Sequence, residues 1–135
     1  MKTILTALAI AVVSSFASAA AKEPSPEQVD AAFKKADTDG NGTVSLAEAR
    51  KFGITKKAFE KANPDKDGSL DKQEFLAAVR YQFEKANPDK DGTLDRKEAA
   101  KAGVKDKKIF DAADPDNDGT LDLAEYLDAL RMSAK

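Results

Sequence analysis

The sequence predicts an all-α chain of four helix–loop–helix units in two pairs, compact, with one continuous helix joining the second and third loops. Three observations carry this. A twelve-residue pattern recurs four times, over 37–48, 63–74, 87–98 and 114–125. A phenylalanine stands four positions before each stretch (Phe33, Phe59, Phe83, Phe110) and an alanine directly before it (Ala36, Ala62, Ala86, Ala113), where an entering helix would turn toward a core. From Asp71 to Ala86 there is no Gly or Pro, while Phe75, Val79 and Phe83 recur every four residues. A helix of that length separates the second and third loops by roughly 20 Å, so those two loops cannot pair with each other.

In chain order, residues 1–21 read as a secretory signal peptide. Lys2 supplies the positive start, Ile4 to Val13 form an apolar run, and Ala17-Ser18-Ala19 offers a small-residue cleavage pattern, with cleavage expected near Ala19–Ala21. A run of ten residues is too short to span a bilayer, and no second apolar segment follows, so no membrane insertion is expected. Residues 22–29, with Pro24 and Pro26, read as a flexible lead-in to a domain over 30–135. Within it, Gly53-Ile54 and Gly103-Val104 break the helical pattern and permit hairpins. Loops one and two then pair over 30–80, and loops three and four over 81–135. Self-similarity agrees, since the residues after Glu48 resemble those after Glu98, and those after Glu74 resemble those after Glu125.

The four stretches read DTDGNGTVSLAE, NPDKDGSLDKQE, NPDKDGTLDRKE and DPDNDGTLDLAE. Position 1 holds Asp37, Asn63, Asn87 or Asp114; position 3 holds Asp39, Asp65, Asp89 or Asp116; position 5 holds Asn41, Asp67, Asp91 or Asp118. Position 7 (Thr43, Ser69, Thr93, Thr120) needs only its backbone carbonyl, and position 9 is Ser45, Asp71, Asp95 or Asp122. Position 12 is always glutamate: Glu48, Glu74, Glu98 and Glu125. This spacing places oxygens around a calcium-sized ion, with a glycine at position 6 for the sharp turn and a bidentate glutamate closing the cage, and it resembles the EF-hand loop. The aliphatic at position 8 (Val44, Leu70, Leu94, Leu121) would join two loops in a short β-ladder.

Composition narrows the chemistry. The chain has no Cys and no His, which excludes disulfides, thiolate or imidazole metal ligands, and cysteine or histidine catalysis. Any bound metal is held by oxygen, so a hard ion is expected. Of the 24 acidic residues, three, four, four and five fall on ligand positions of the successive loops. That concentration predicts mutual repulsion which cations relieve, and hence coupling of metal binding to folding. Lys56, Lys57, Lys61, Lys105, Lys107 and Lys108 read as solvated faces, not a nucleic-acid surface, because no interleaved aromatics accompany them.

The loops are further similar to those of the lanmodulins, periplasmic EF-hand proteins that bind lanthanides. Pro64, Pro88 and Pro115 at position 2, Asp71, Asp95 and Asp122 at position 9, and the short spacing between loops carry the likeness. Loop one departs from it, with Thr38 and Ser45, and loops two and three begin with Asn. The resemblance implies up to four lanthanide(III) ions, a periplasmic location and a role as carrier, buffer or sensor. The alternative reading is a calcium-binding buffer or sensor of the cell envelope. Carboxylate count ranks loop four tightest, loops two and three next, and loop one weakest and most calcium-like. No enzyme is expected, since closed oxygen cages leave no open coordination position and no base or nucleophile is arranged for use. A methionine-lined target groove is disfavoured, because Met132 is the sole methionine after the leader; a metal-dependent protein partner would be the contrary observation.

Overall fold

The structure, a computed structural model, describes residues 23–134. The expected signal peptide over 1–21 lies outside the described residues. Among the described residues, seven helices and four two-residue strands follow in order: α1 (Pro26–Ala36), β1 (Val44–Ser45), α2 (Leu46–Phe52), α3 (Lys56–Ala62), β2 (Ser69–Leu70), α4 (Lys72–Ala86), β3 (Leu94–Asp95), α5 (Arg96–Lys101), α6 (Lys107–Ala113), β4 (Thr120–Leu121) and α7 (Leu123–Ser133). No helix among the described residues is long and apolar enough to cross a membrane.

The flexible lead-in expected over 22–29 is shorter than the prolines suggested. Pro26 begins α1, with Ser25 as N-cap; the Ser25 hydroxyl accepts from the Gln28 N–H, and the Gln28 side chain accepts from the Ser25 N–H. Proline at the first helical position loses no hydrogen bond and has φ already set, so Pro26 starts the helix where it was expected to prevent one. Val29 is buried in the core. Glu23 is also held, by a two-pronged ion pair with Arg80 of α4.

Helix α4 runs 15 residues without a break, through the 80/81 boundary expected between the two halves. At 1.5 Å per residue it is about 22 Å long. Strand β1 pairs antiparallel with β2, setting Val44 opposite Leu70, and β3 pairs with β4, setting Leu94 opposite Leu121. All four of these aliphatics are fully buried. The connections between α2 and α3 and between α5 and α6 turn at Gly53 and Gly103, both at positive φ. Gly53 has no alternative: its φ is +115°, and a Cβ there would lie 3.0 Å from the Leu130 side chain.

The halves are not separate lobes. Helix α1 packs on α7, α4 contacts α3, α5 and α7, and one cluster of buried side chains extends from Val29 to Leu130. The Gln28 amide reaches Asp128 at 2.9 Å, joining α1 to α7. Phe75 is flanked by Phe33 and Phe52, with ring centroids at 5.6 and 5.1 Å in edge-to-face geometry. The four pre-loop phenylalanines all face this core. Each such side chain contributes about 1.5–3 kcal/mol on full burial.

A buried polar pair adjoins it. Gln82 of α4 accepts from the Thr55 N–H and donates to the Gly53 carbonyl and to the Tyr126 hydroxyl. Tyr126, fully buried on α7, donates in turn to the Ala102 carbonyl at 2.7 Å. Two side chains thus tie both interhelical connections to α4 and α7. Burial holds the Tyr126 phenol well above its ordinary pKa, so it stays a donor.

Candidate metal centres

Each loop is built from the ends of two helices. Position 1 is the C-cap of the entering helix: Asp37 after α1, Asn63 after α3, Asn87 after α4, Asp114 after α6. Position 9 is the N-cap of the exiting helix, and position 12 its third residue. The chain between reverses through two left-handed residues, at positions 4 and 6. Position 6 is glycine throughout, with φ of 84–89°. Position 4 is Gly40, Lys66, Lys90 or Asn117, with φ of 54–69°.

In loop one, Asp37 accepts from the N–H groups of Asn41 and Gly42 at 3.2 and 2.9 Å. Loop four repeats this, with Asp114 accepting from Asp118 and Gly119 at 3.3 and 3.0 Å. In loops two and three the amides of Asn63 and Asn87, oriented to satisfy their neighbours, donate to the two carboxylates at positions 3 and 5 and to the carbonyl at position 7. The position-7 carbonyls of Ser69 and Thr93 are thereby shown to face the loop interior. The position-7 N–H groups donate to the side-chain oxygens of Asn41, Asp67, Asp91 and Asp118 at 2.9–3.0 Å.

Carboxylate oxygens of Asp37, Asp39 and Glu48 lie within 4.8 Å of one another, as do those of Asp65, Asp67 and Glu74, and of Asp114, Asp116 and Asp118. Loop three shows no such trio among the described residues. Like charges this close repel, and this adds to the upward shift of some of the carboxyls. Asp39 is raised: hydrogen bonding from Asn41 acts to lower it, but desolvation, Asp37 and Glu48 outweigh that. Asp114 is raised by burial and by the adjacent Asp116. Glu125 is pushed up to about 7, by desolvation and then by Asp122, Asp116 and Asp118. A hard cation replaces that repulsion with attraction, and the donors are all oxygen, as such an ion requires.

Glu48 behaves differently. Burial works to raise it, but hydrogen bonds from Ser45, Asp39 and Thr38 leave it lowered. The Thr38 hydroxyl reaches Glu48 at 3.1 Å, a bond the proline of the other loops cannot make. Sequence reasoning noted Thr38 only as a departure from the proline pattern.

The position-9 residues have a second use in the fold. Ser45, Asp71, Asp95 and Asp122 each accept from the N–H of the position-12 glutamate, whose carboxylate accepts from the position-9 N–H in return. These are reciprocal capping boxes, which engage side chains that the sequence reading assigned to the ion. The Asp/Ser-x-x-Glu spacing already carried that signal. The left-handed positions 4 were also missed. Gly40 and Asn117 tolerate that region and could have been found, whereas Lys66 and Lys90 bear no local mark of it.

Residues 55–131 match the EF-hand domain pair family, and residues 29–52 match the EF hand family. No curated protein sequence matches the chain significantly. Among solved structures, the chain is similar to a homolog of programmed cell death 6 protein from Leishmania major Friedlin, at 21% identity and TM-score 0.34 over 73% of this chain and 71% of that one. It is also similar to a redox protein from Chlamydomonas reinhardtii, at 22% identity and TM-score 0.33 over 79% of this chain and 48% of the other. With more than half of its length matched by the domain-pair family and its acidic loops each set between two helices, the chain belongs to the EF-hand superfamily.

Proposed function

We propose that this protein is a secreted or periplasmic metal-ion binder with four oxygen-ligand loops working as two pairs. It takes up lanthanide(III) ions most tightly, and it serves as a carrier, buffer or sensor without enzymatic activity. The observation that carries the reading is the close approach of like-charged carboxylates in loops one, two and four, in a setting where burial first and neighbouring carboxylates second raise Glu125 and Asp114. Attraction scales with the product of the charges, so a trivalent ion gains roughly half again as much as a divalent one from each carboxylate. Pro64, Pro88 and Pro115 stiffen three loop entries and support the same choice.

Calcium is the second reading, and a specific observation favours it. The position-9 aspartates each engage one oxygen as a helix cap, which leaves fewer of their oxygens to face an ion. The test is far-UV circular dichroism of the metal-stripped chain without its leader, titrated with chelator-buffered lanthanum and, separately, calcium. A lanthanum midpoint many orders of magnitude below that of calcium establishes the lanthanide reading. Comparable midpoints in the micromolar-to-millimolar range typical of calcium sensors and extracellular modules make this an envelope calcium binder.

A further inference from the structure

A groove of about 510 Å³ opens where the two interhelical connections meet the C-terminal half of α4. Tyr81, Ala86, Pro88 and Ala100 give it an apolar lining. Lys57, Lys85, Lys101 and Lys105 stand around it, all exposed, and no Asp or Glu lines it. None of the four lysines makes an ion pair among the described residues. In a chain with 24 acidic and 22 basic residues, this is a local inversion of charge.

The walls are held in place by the protein itself. Gln82 binds both Gly53 and Thr55 of the first connection, and Tyr126 binds Ala102 of the second. A preformed groove lowers the ordering cost of association.

The geometry points to this groove as the docking site for an acidic peptide segment of a partner protein. Carboxylates of the segment lie against the four lysines, and an apolar or aromatic side chain lies against Tyr81 and Pro88. The lysines come from three separate parts of the chain and surround an apolar surface, which suits an extended acidic-and-apolar segment. A small free anion needs donors that converge on one point. A nucleic-acid strand needs successive aromatic platforms, and Tyr81 is the sole aromatic lining the groove. The occupant is thus opposite in charge to the basic helices that acidic, methionine-rich grooves take. The inference does not depend on which ion fills the loops.

The test measures fluorescence anisotropy of a fluorescein-labelled peptide of alternating glutamate and phenylalanine. It is titrated with the calcium-loaded chain lacking its leader at about 0.1 M ionic strength, where screening confines charge effects to about 10 Å. A triple variant, Lys57→Glu with Lys101→Glu and Lys105→Glu, is compared with Lys34→Glu, Lys35→Glu and Lys97→Glu, which has the same net charge. Circular dichroism confirms that both variants are folded. The groove variant is expected to weaken binding by about tenfold or more, since three exposed charge pairs become repulsions, and the control by less than about twofold. Equal weakening by both triples overturns the proposal, as does the absence of binding to the parent chain. Displacement of the peptide by inorganic phosphate, or by a single-stranded oligonucleotide more readily than by unlabelled peptide, also overturns it, in favour of a small-anion or nucleic-acid site.

Discussion

Replacing Tyr126 with phenylalanine isolates the hydrogen bonds that join the two interhelical connections. The ring is fully buried, and its packing against Phe83, with centroids 5.9 Å apart, is retained in the variant. Only the hydroxyl is lost. That leaves the Ala102 carbonyl, now 2.7 Å from the hydroxyl, and one N–H of Gln82, now at 2.9 Å, without their buried partner. Each buried group deprived of its partner costs about 1–3 kcal/mol, so the pair costs about 2–4 kcal/mol after local relaxation. In a domain of this size, 1 kcal/mol corresponds to roughly 3–6 °C in Tm, so a fall of about 10 °C is expected. The assay is urea denaturation of the calcium-saturated chain followed at 222 nm, with Tyr81→Phe as a half-buried control expected to change stability by less than about 0.5 kcal/mol. A loss below about 0.5 kcal/mol in Tyr126→Phe, with an unchanged denaturant slope, would refute the claim that this pair holds the connections.

Three further outcomes are expected. Glu125→Gln removes the highest-affinity phase of a lanthanum titration, whereas Glu48→Gln leaves it intact; the reverse result would overturn the ranking by carboxylate count. Glu125 is raised from 4.5 to about 7, so the stability linked to its proton is fully present below about pH 4.5 and lost as pH rises through about 7. Metal-stripped protein therefore becomes less stable across that window, loop four binds metal more tightly over the same rise, and Glu125→Gln flattens the stability change measured by thermal melts in chelator. Gly53→Ala forces a side chain into positive φ and against Leu130, which destabilises by at least roughly 1–2 kcal/mol; Gly103→Ala meets nothing closer than 3.8 Å and is milder. Parallel melts of the two variants would show whether the Leu130 contact matters.

The loops were legible because their geometry is local. Twelve consecutive residues set the turns, the caps and the order of oxygens, and the glycine at position 6 needs only its own φ. The pre-loop phenylalanines and position-8 aliphatics were legible for the same reason, since helical spacing and strand pairing read directly from sequence intervals. Less was visible where one side chain has two plausible uses. Asp71, Asp95 and Asp122 are oxygens near an ion in the pattern, but their helices also need caps. Pro26 reads as a breaker until Ser25 and Gln28 complete a box around it.

What the sequence determined by itself is a set of acidic loops between helices, a chain without Cys or His, and hence oxygen chemistry for a hard ion. Only the tertiary structure decided that α1 closes on α7 across 100 residues, that Gln82 and Tyr126 pin both connections, and that four lysines share one groove. Periodicity identifies which face of a helix is buried but not which helix covers it. That choice depends on the summed burial of the described helices around one core, and no single segment encodes it.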